Sequence, residues 1–346
     1  MNSNQAAGWG QTLTQKVTIR DLAEAAGVSV TTVSQILNGK GERFSSDTQA
    51  RVLKLQKKLG YVPDYNARNL IMRSTQTIGV LVPNLANPFF SMFIKGIQQA
   101  SQNNKFIPII FDANHNQELQ NMYLEELIKR AANGLIIASA TLDANDIDRI
   151  LTRNGIPYLL FDQNDAQIGD RVWVDDYKGG QMAANYLLSA GHRDIALLVG
   201  DEITQNIQQR INGFRSVMAK YHLSLTDERV IQNKMTKLGG YQAVDDLIAL
   251  KPSAIFAIND EMAIGVYRGL QERGYRIPED VSIMGYDDID LADFVMPKLT
   301  TIHQPAFEMG QVATELLIER IQNPRLAHQD KQLPLELIVR DSVKNV

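Results

Sequence analysis

From Thr77 onward, short apolar runs alternate with longer stretches in which apolar residues recur every three or four positions. The runs "TIGVLVP", "FIPIIFDA", "GLIIAS", "PYLLFD", "DIALLVG", "AIFAIND" and "VSIMGYDD" have the length and character of buried strands. Residues 90–103, 118–131, 178–190, 207–221 and 261–273 carry the helical period. Repeated strand–helix units predict a doubly wound α/β body, a parallel sheet with helices on both faces. Two such sets, with ligand groups at the C-terminal ends of their strands, would enclose a two-lobed cleft.

Residues 16–62 follow another pattern, that of three short helices. Thr18 with Asp21 three positions later reads as a capping box, and Gly27 supplies the stop. Ser29 can cap a second helix ending near Asn38-Gly39, and Ser45 or Ser46 a third running through Val52, Leu55 and Leu59 to Gly60. Leu22, Ala25, Val33, Ile36 and Leu37 would form the shared core. Helices joined by so short a turn make a helix-turn-helix. Between the two patterns, "DYNARNLIMRSTQ" reads as a linker able to become helical, while the uncharged residues 1–15 read as a flexible tail.

Composition narrows the class of function. A chain of 346 residues suits two or three compact units. It has no cysteine, which excludes disulfides, thiol catalysis and Cys-ligated zinc. The tail lacks the basic start and apolar core of a signal peptide, and no apolar run approaches the roughly 18 residues of a membrane span. Residues 16–75 hold ten Lys/Arg against five acids, whereas the whole chain carries −4, so a basic module precedes an acidic body. That asymmetry fits a nucleic-acid reader joined to a regulatory domain. No P-loop, G-x-G-x-x-G, H-E-x-x-H or G-x-S-x-G is present, and the five histidines are scattered. Asp287, Asp288 and Asp290 could form an acid/base or metal cluster; the preferred reading is that they cap turns or bind a ligand hydroxyl. The expectation is no enzyme, no metal and no cofactor.

The segment "VTIRDLAEAAGVSVTTVSQILNG", followed by "GYVPDYNARNL", resembles the lac/galactose repressor family of bacterial transcriptional regulators, over residues 16–343. The resemblance implies a tail (1–15), a helix-turn-helix DNA-binding domain (16–62), a hinge helix and linker (63–76) and a periplasmic-binding-protein-like body (77–343). Lobe 1 would comprise about 77–174 and 305–333, and lobe 2 about 175–304 and 334–343. In the family the second helix lies in the DNA major groove. Val30, Thr31 and Gln35 would then face bases, while Thr18, Ser29, Thr32, Ser34 and Asn38 bond phosphates or cap the helix. Relatives commonly have Arg where Gln35 stands; Gln suits adenine, so operator preference would differ there. "NGKGERFS" is one residue longer than in the lac repressor, an extension expected to matter only to a loop. Asn66, Ala67 and Leu70 fall on the hinge, where Leu70 would wedge into the minor groove. A homodimer on a palindromic double-stranded operator is implied, in the cytoplasm.

The body is also similar to ribose-binding proteins. Asn87, Phe89 and Phe90 in "NLANPFF" match ring-stacking and hydroxyl-binding positions. Asp162, Arg210, Asn259, Asp287 and Gln304 match the polar ones. D-ribose is therefore the expected effector, with another sugar, a corepressor or a partner protein as alternatives, and an exported sugar receptor or a sugar-acting enzyme ranked lower. Two departures stand out: Gln163 follows Asp162 where ribose-binding proteins have Arg, and the aromatic residue expected near Met235–Leu238 is missing or displaced.

Overall fold

A computed structural model describes residues 17–61, 76–113, 116–129, 133–138, 144–161 and 169–346. The tail 1–15, the hinge residues Asn66, Ala67 and Leu70, and the cleft residues Asp162 and Gln163 lie outside them. The chain divides into two compact units, the first reaching Ser74 and the second beginning at Thr75.

In the first unit, α1 (Ile19–Ala26), α2 (Val30–Leu37) and α3 (Ser46–Leu59) pack around Leu22, Ala23, Ala26, Val33, Ile36, Val52 and Tyr61. Thr18 and Asp21 make the reciprocal capping box, and Gly27 closes α1 in the left-handed conformation. Ser29 caps α2, and Ser45 caps α3. One core assignment is corrected: Ala25 is exposed, and Ala23 and Ala26 take the inward positions. At about 100° per residue, Leu22, Ala26 and Ala23 span one arc with Ala26 between the other two, and Ala25 falls outside it on the far side of Leu22.

The second unit contains two six-stranded sheets. The first half runs β1 (Thr77–Val82), α4 (Pro88–Asn103), β2 (Ile107–Asp112), α5 (Gln117–Lys129), β3 (Gly134–Ile137), α6 (Ala144–Arg153), β4 (Tyr158–Phe161) and β5 (Asp170–Val174). The second runs α7 (Asp176–Ser189), β6 (Ile195–Gly200), α8 (Gln205–Lys220), β7 (Val230–Asn233), α9 (Lys237–Gln242), α10 (Val244–Ala249), β8 (Ala254–Ala257), α11 (Asp260–Glu272), β9 (Ser282–Asp287) and β10 (Thr300–His303). Then α12 (Ala306–Gln322) and β11 (Asp330–Leu333) rejoin the first half, and β12 (Glu336–Ile338) rejoins the second.

The sheet orders are β11-β5-β4-β3-β1-β2 and β12-β10-β9-β8-β6-β7, parallel except for the β10–β12 pair. Each sheet thus repeats one doubly wound order, with its direction of winding reversing between β1 and β3 and between β6 and β8. Such switch points place ligands at strand C-termini. The central strands are buried almost throughout and mostly apolar because helices cover both faces. Each fully buried large side chain contributes about 1.5–3 kcal/mol. The chain crosses between the halves at residues 175–176, 304–305 and 334–335, and Leu335 packs against both cores.

Candidate functional site

On α2, Val33 and Ile36 turn inward and Thr31, Ser34, Gln35 and Asn38 lie on the outer side, with Val30 exposed at the first turn. This division follows from the 3.6-residue period. The hydroxyls are partly occupied already. Ser29 Oγ accepts from Thr32 N at 3.1 Å and lies 2.9 Å from Thr32 Oγ1. Asn38 Nδ2 donates to Ser34 O at 2.7 Å. Thr18 Oγ1 donates to Asp21 at 2.8 Å. Thr18, Ser29, Thr32 and Asn38 therefore fix helix ends, and each hydroxyl keeps a lone pair or exposed edge for a further partner.

In the second half, four of the expected effector residues converge at the C-terminal edge of the sheet. Arg210 on α8 is buried, its Nε donating to Asp176 Oδ1 at 2.7 Å and its Nη1 to Ile258 O at 3.1 Å. Its guanidinium lies 3.8 Å from the centroid of the Tyr286 ring. Asp287 ends β9 with φ 112 and accepts from Gln304 Nε2 at 2.7 Å. Burial pushes its carboxyl up to about 7, although Arg210 and the bond from Gln304 pull it down. Asn259 is only 1% exposed; its Oδ1 caps α11 by accepting from Met262 N, while its Nδ2 has no partner. A buried amide donor left open is costly, and a ligand acceptor would satisfy it.

Two glycines set this geometry. A Cβ on Gly180 would lie 1.9 Å from Arg210 O, and one on Gly213 1.9 Å from Tyr177 O. Only bare backbone lets α7 and α8 approach so closely, and that approach brings Asp176 under Arg210.

In the first half, Asn87 caps α4 through Phe89 N at 2.9 Å. Phe89 is buried against Phe161, and Phe90 meets it edge-on at 5.2 Å and is half-buried. Phe89 is thus mainly a core residue, and Phe90 is the ring with open surface. Met235 packs against the second core and Leu238 is largely exposed, so the expected aromatic wall is absent from that segment.

Residues 18–64 match the family described as bacterial regulatory proteins, lacI family, and residues 184–343 match a periplasmic binding protein-like domain. The HTH-type transcriptional repressor PurR of Vibrio cholerae is 34% identical over 95% of this chain and 98% of its own. The ribose operon repressor of Escherichia coli is 33% identical over 94% of this chain and 99% of its own. A crystal structure of a LacI family transcriptional regulator from Enterococcus faecium with bound ribose is 40% identical, with TM-score 0.73, covering 78% of this chain and 99% of that one.

The chain belongs to the lacI family. It is a DNA-binding transcriptional repressor with a helix-turn-helix head and a periplasmic-binding-like body. In this lacI-family body, Asp288 pairs with His303 Nδ1 at 2.9 Å and with Arg340 at 2.8 Å. Among the described residues no cluster of His, Asp or Glu is placed to hold a metal, and no helix is long and apolar enough to cross a membrane. Sequence reasoning missed Asp176, Tyr286 and Asp260. Asp260 is fully buried, accepting from Ile289 N at 2.9 Å and Thr301 Oγ1 at 2.7 Å, and so pins the turn after Asp287. Its place directly after Asn259 was the available signal, since a strand-end Asn-Asp pair can split into one ligand group and one clamp. It missed Arg43 as well: its guanidinium donates to Gln35 Oε1.

Proposed function

We propose that this repressor answers to D-ribose, bound between the two halves of the body by Asn87, Phe90, Asp162, Arg210, Asn259, Asp287 and Gln304, with Phe89 behind them. The observation that carries the reading is the buried, unpartnered Nδ2 of Asn259 beside the Arg210–Asp287–Gln304 group. Donors and acceptors fixed in a dry recess suit a ligand dense in hydroxyls, and charged groups facing hydroxyls discriminate epimers. The ribose-bound relative, 40% identical, supports the choice of sugar.

Thr18, Ser29, Val30, Thr31, Thr32, Ser34, Gln35 and Asn38 would meet operator DNA, with Asn66, Ala67 and Leu70 in a hinge at 63–76. One such small head spans a single half-site, so a homodimer on a palindromic operator follows. A repressor acts where the chromosome is, which places it in the cytoplasm. Ribose closing the lobes would separate the paired hinges and release DNA.

The test is fluorescence anisotropy on a labelled palindromic site from the gene's upstream DNA, with and without D-ribose at fixed salt, because phosphate contacts make affinity salt-dependent. Tight binding released by ribose is the expected result; tight binding indifferent to ribose would refute the effector. The alternative is an effector that strengthens DNA binding, a corepressor. Adding ribose would then raise the anisotropy.

A further inference from the structure

The loop between α2 and α3 does more than connect them. Gln49 Nε2 on α3 donates to Gly41 O at 3.0 Å and Phe44 O at 2.9 Å, and Phe44 N donates to Gly41 O at 2.8 Å. Lys40 N donates to Gln35 O at 2.9 Å, and Phe44 packs against the helical core. The loop is thereby built rather than loose, and it delivers Arg43 to α2. The Arg43 guanidinium lies 5.1 Å from the Phe44 ring centroid and donates through Nη2 to Gln35 Oε1.

That bond changes what Gln35 can read. The contact by which glutamine selects adenine is bidentate: Oε1 accepts from N6 while Nε2 donates to N7. Arg43 takes one lone pair of Gln35 Oε1 and sets its cationic guanidinium beside the other, where the N6 amino donor of adenine would meet donors of like sign. Gln35 is left to read chiefly through its Nε2 donors, and Arg43 keeps N–H groups not used by Gln35, so the pair presents mainly donors. A base edge made only of acceptors, N7 and O6, is that of guanine.

We propose that Gln35 and Arg43 form one composite reading unit that selects guanine in the operator half-site, where Gln35 alone would select adenine. The inference rests on α2 being the helix in the major groove. On this reading the longer "NGKGERFS" segment is a specificity element rather than only a loop.

The test selects binding sites from a randomised double-stranded DNA pool with the full-length protein. Anisotropy at fixed salt then follows on a panel in which each half-site position carries each of the four base pairs in turn. The expected result is one position where G·C is preferred, on the order of tenfold to a hundredfold. Arg43→Ala should switch that position to A·T by freeing Oε1, whereas Gln35→Ala should leave a weaker guanine preference carried by Arg43. Both side chains lie outside the core, and circular dichroism would verify that the variants stay helical. An adenine preference in the unaltered protein would overturn the pairing. So would an Arg43→Ala variant that loses affinity equally on all four base pairs, the mark of a phosphate contact. Failure to enrich any sequence would instead overturn the role of α2 itself.

Discussion

Ribose affinity should depend on pH through Asp287. The group is an acid whose value in the fold is raised to about 7, first by burial and further by the charges of Asp176 and Glu261, against the pull of Arg210 and the Gln304 bond. Asp260, itself raised well above the usual range by burial, adds negative charge nearby only when it ionises; the Asp288–His303 pair adjoins. If Asp287 accepts from sugar hydroxyls, only its ionised form binds. At pH 6 about one site in eleven is ionised, and at pH 8 about ten in eleven, so apparent affinity should rise about tenfold, or ~1.4 kcal/mol. Titration calorimetry in two buffers of different ionisation heat reads the released proton directly. About 0.9 proton per site is expected at pH 6 and about 0.1 at pH 8. Asp287→Asn should bind weakly with a flat profile, and His303→Gln should leave the slope in place. Affinity that instead rises toward low pH would mean the protonated acid donates to the ligand, and a flat profile would remove Asp287 from the site. The same shift bears on stability. The benefit of protonated Asp287 to the empty fold is complete below about pH 3.8 and lost as pH rises through about 7. Asp287→Asn should therefore raise the melting temperature more at pH 8 than at pH 5.

Asp176→Asn should destabilise the body by about 3–5 kcal/mol in denaturant unfolding, because it removes the buried carboxylate that Arg210 Nε bonds. Gly180→Ala drives a methyl into the Arg210 carbonyl. It should cost about 1–3 kcal/mol and weaken ribose binding in calorimetry, while operator affinity without sugar holds. Leu70→Ala should weaken specific operator binding and spare ribose binding; equal operator affinity in anisotropy would refute the hinge assignment.

What could be read from the chain depended on how local the cause was. The caps of α1, α2 and α3 are decided within four residues, and Thr18, Asp21, Ser29 and Ser45 behave as their spacing implies. The fully apolar strands were equally legible, since burial on both faces removes ambiguity. β5, β7, β10, β11 and β12 escaped because they are short, and their segments mix polar with apolar residues; only the neighbouring strand makes them strands. Within the site, Asn259 and Asp287 sit at strand ends that the apolar runs announce, whereas Gln304 follows β10 and was reached only through the resemblance. Asp176 carries no such mark: its partner Arg210 lies 34 positions away, and a glycine contact between two helices joins them. Arg43 was hidden for the same reason, because the bonds of Gln49 that aim it appear only in three dimensions.

The placement of these groups bears on how a bound sugar would act on the two halves of the body. The chain passes between the halves three times, and two passages carry the site: Asp176, which holds Arg210, at the first, and Gln304, which holds Asp287, at the second. At the third, Leu335 touches both cores and carries no polar anchor. A ligand shifts a two-state equilibrium only by binding one state better than the other. Groups seated on the crossing strands themselves change position whenever the lobes rotate, so their fit to a rigid sugar ring cannot be equal in both states. A site drawn from one lobe alone would bind the sugar as tightly in either state and would control nothing, whereas Asn87 and Phe90 belong to one half and Arg210 and Asn259 to the other.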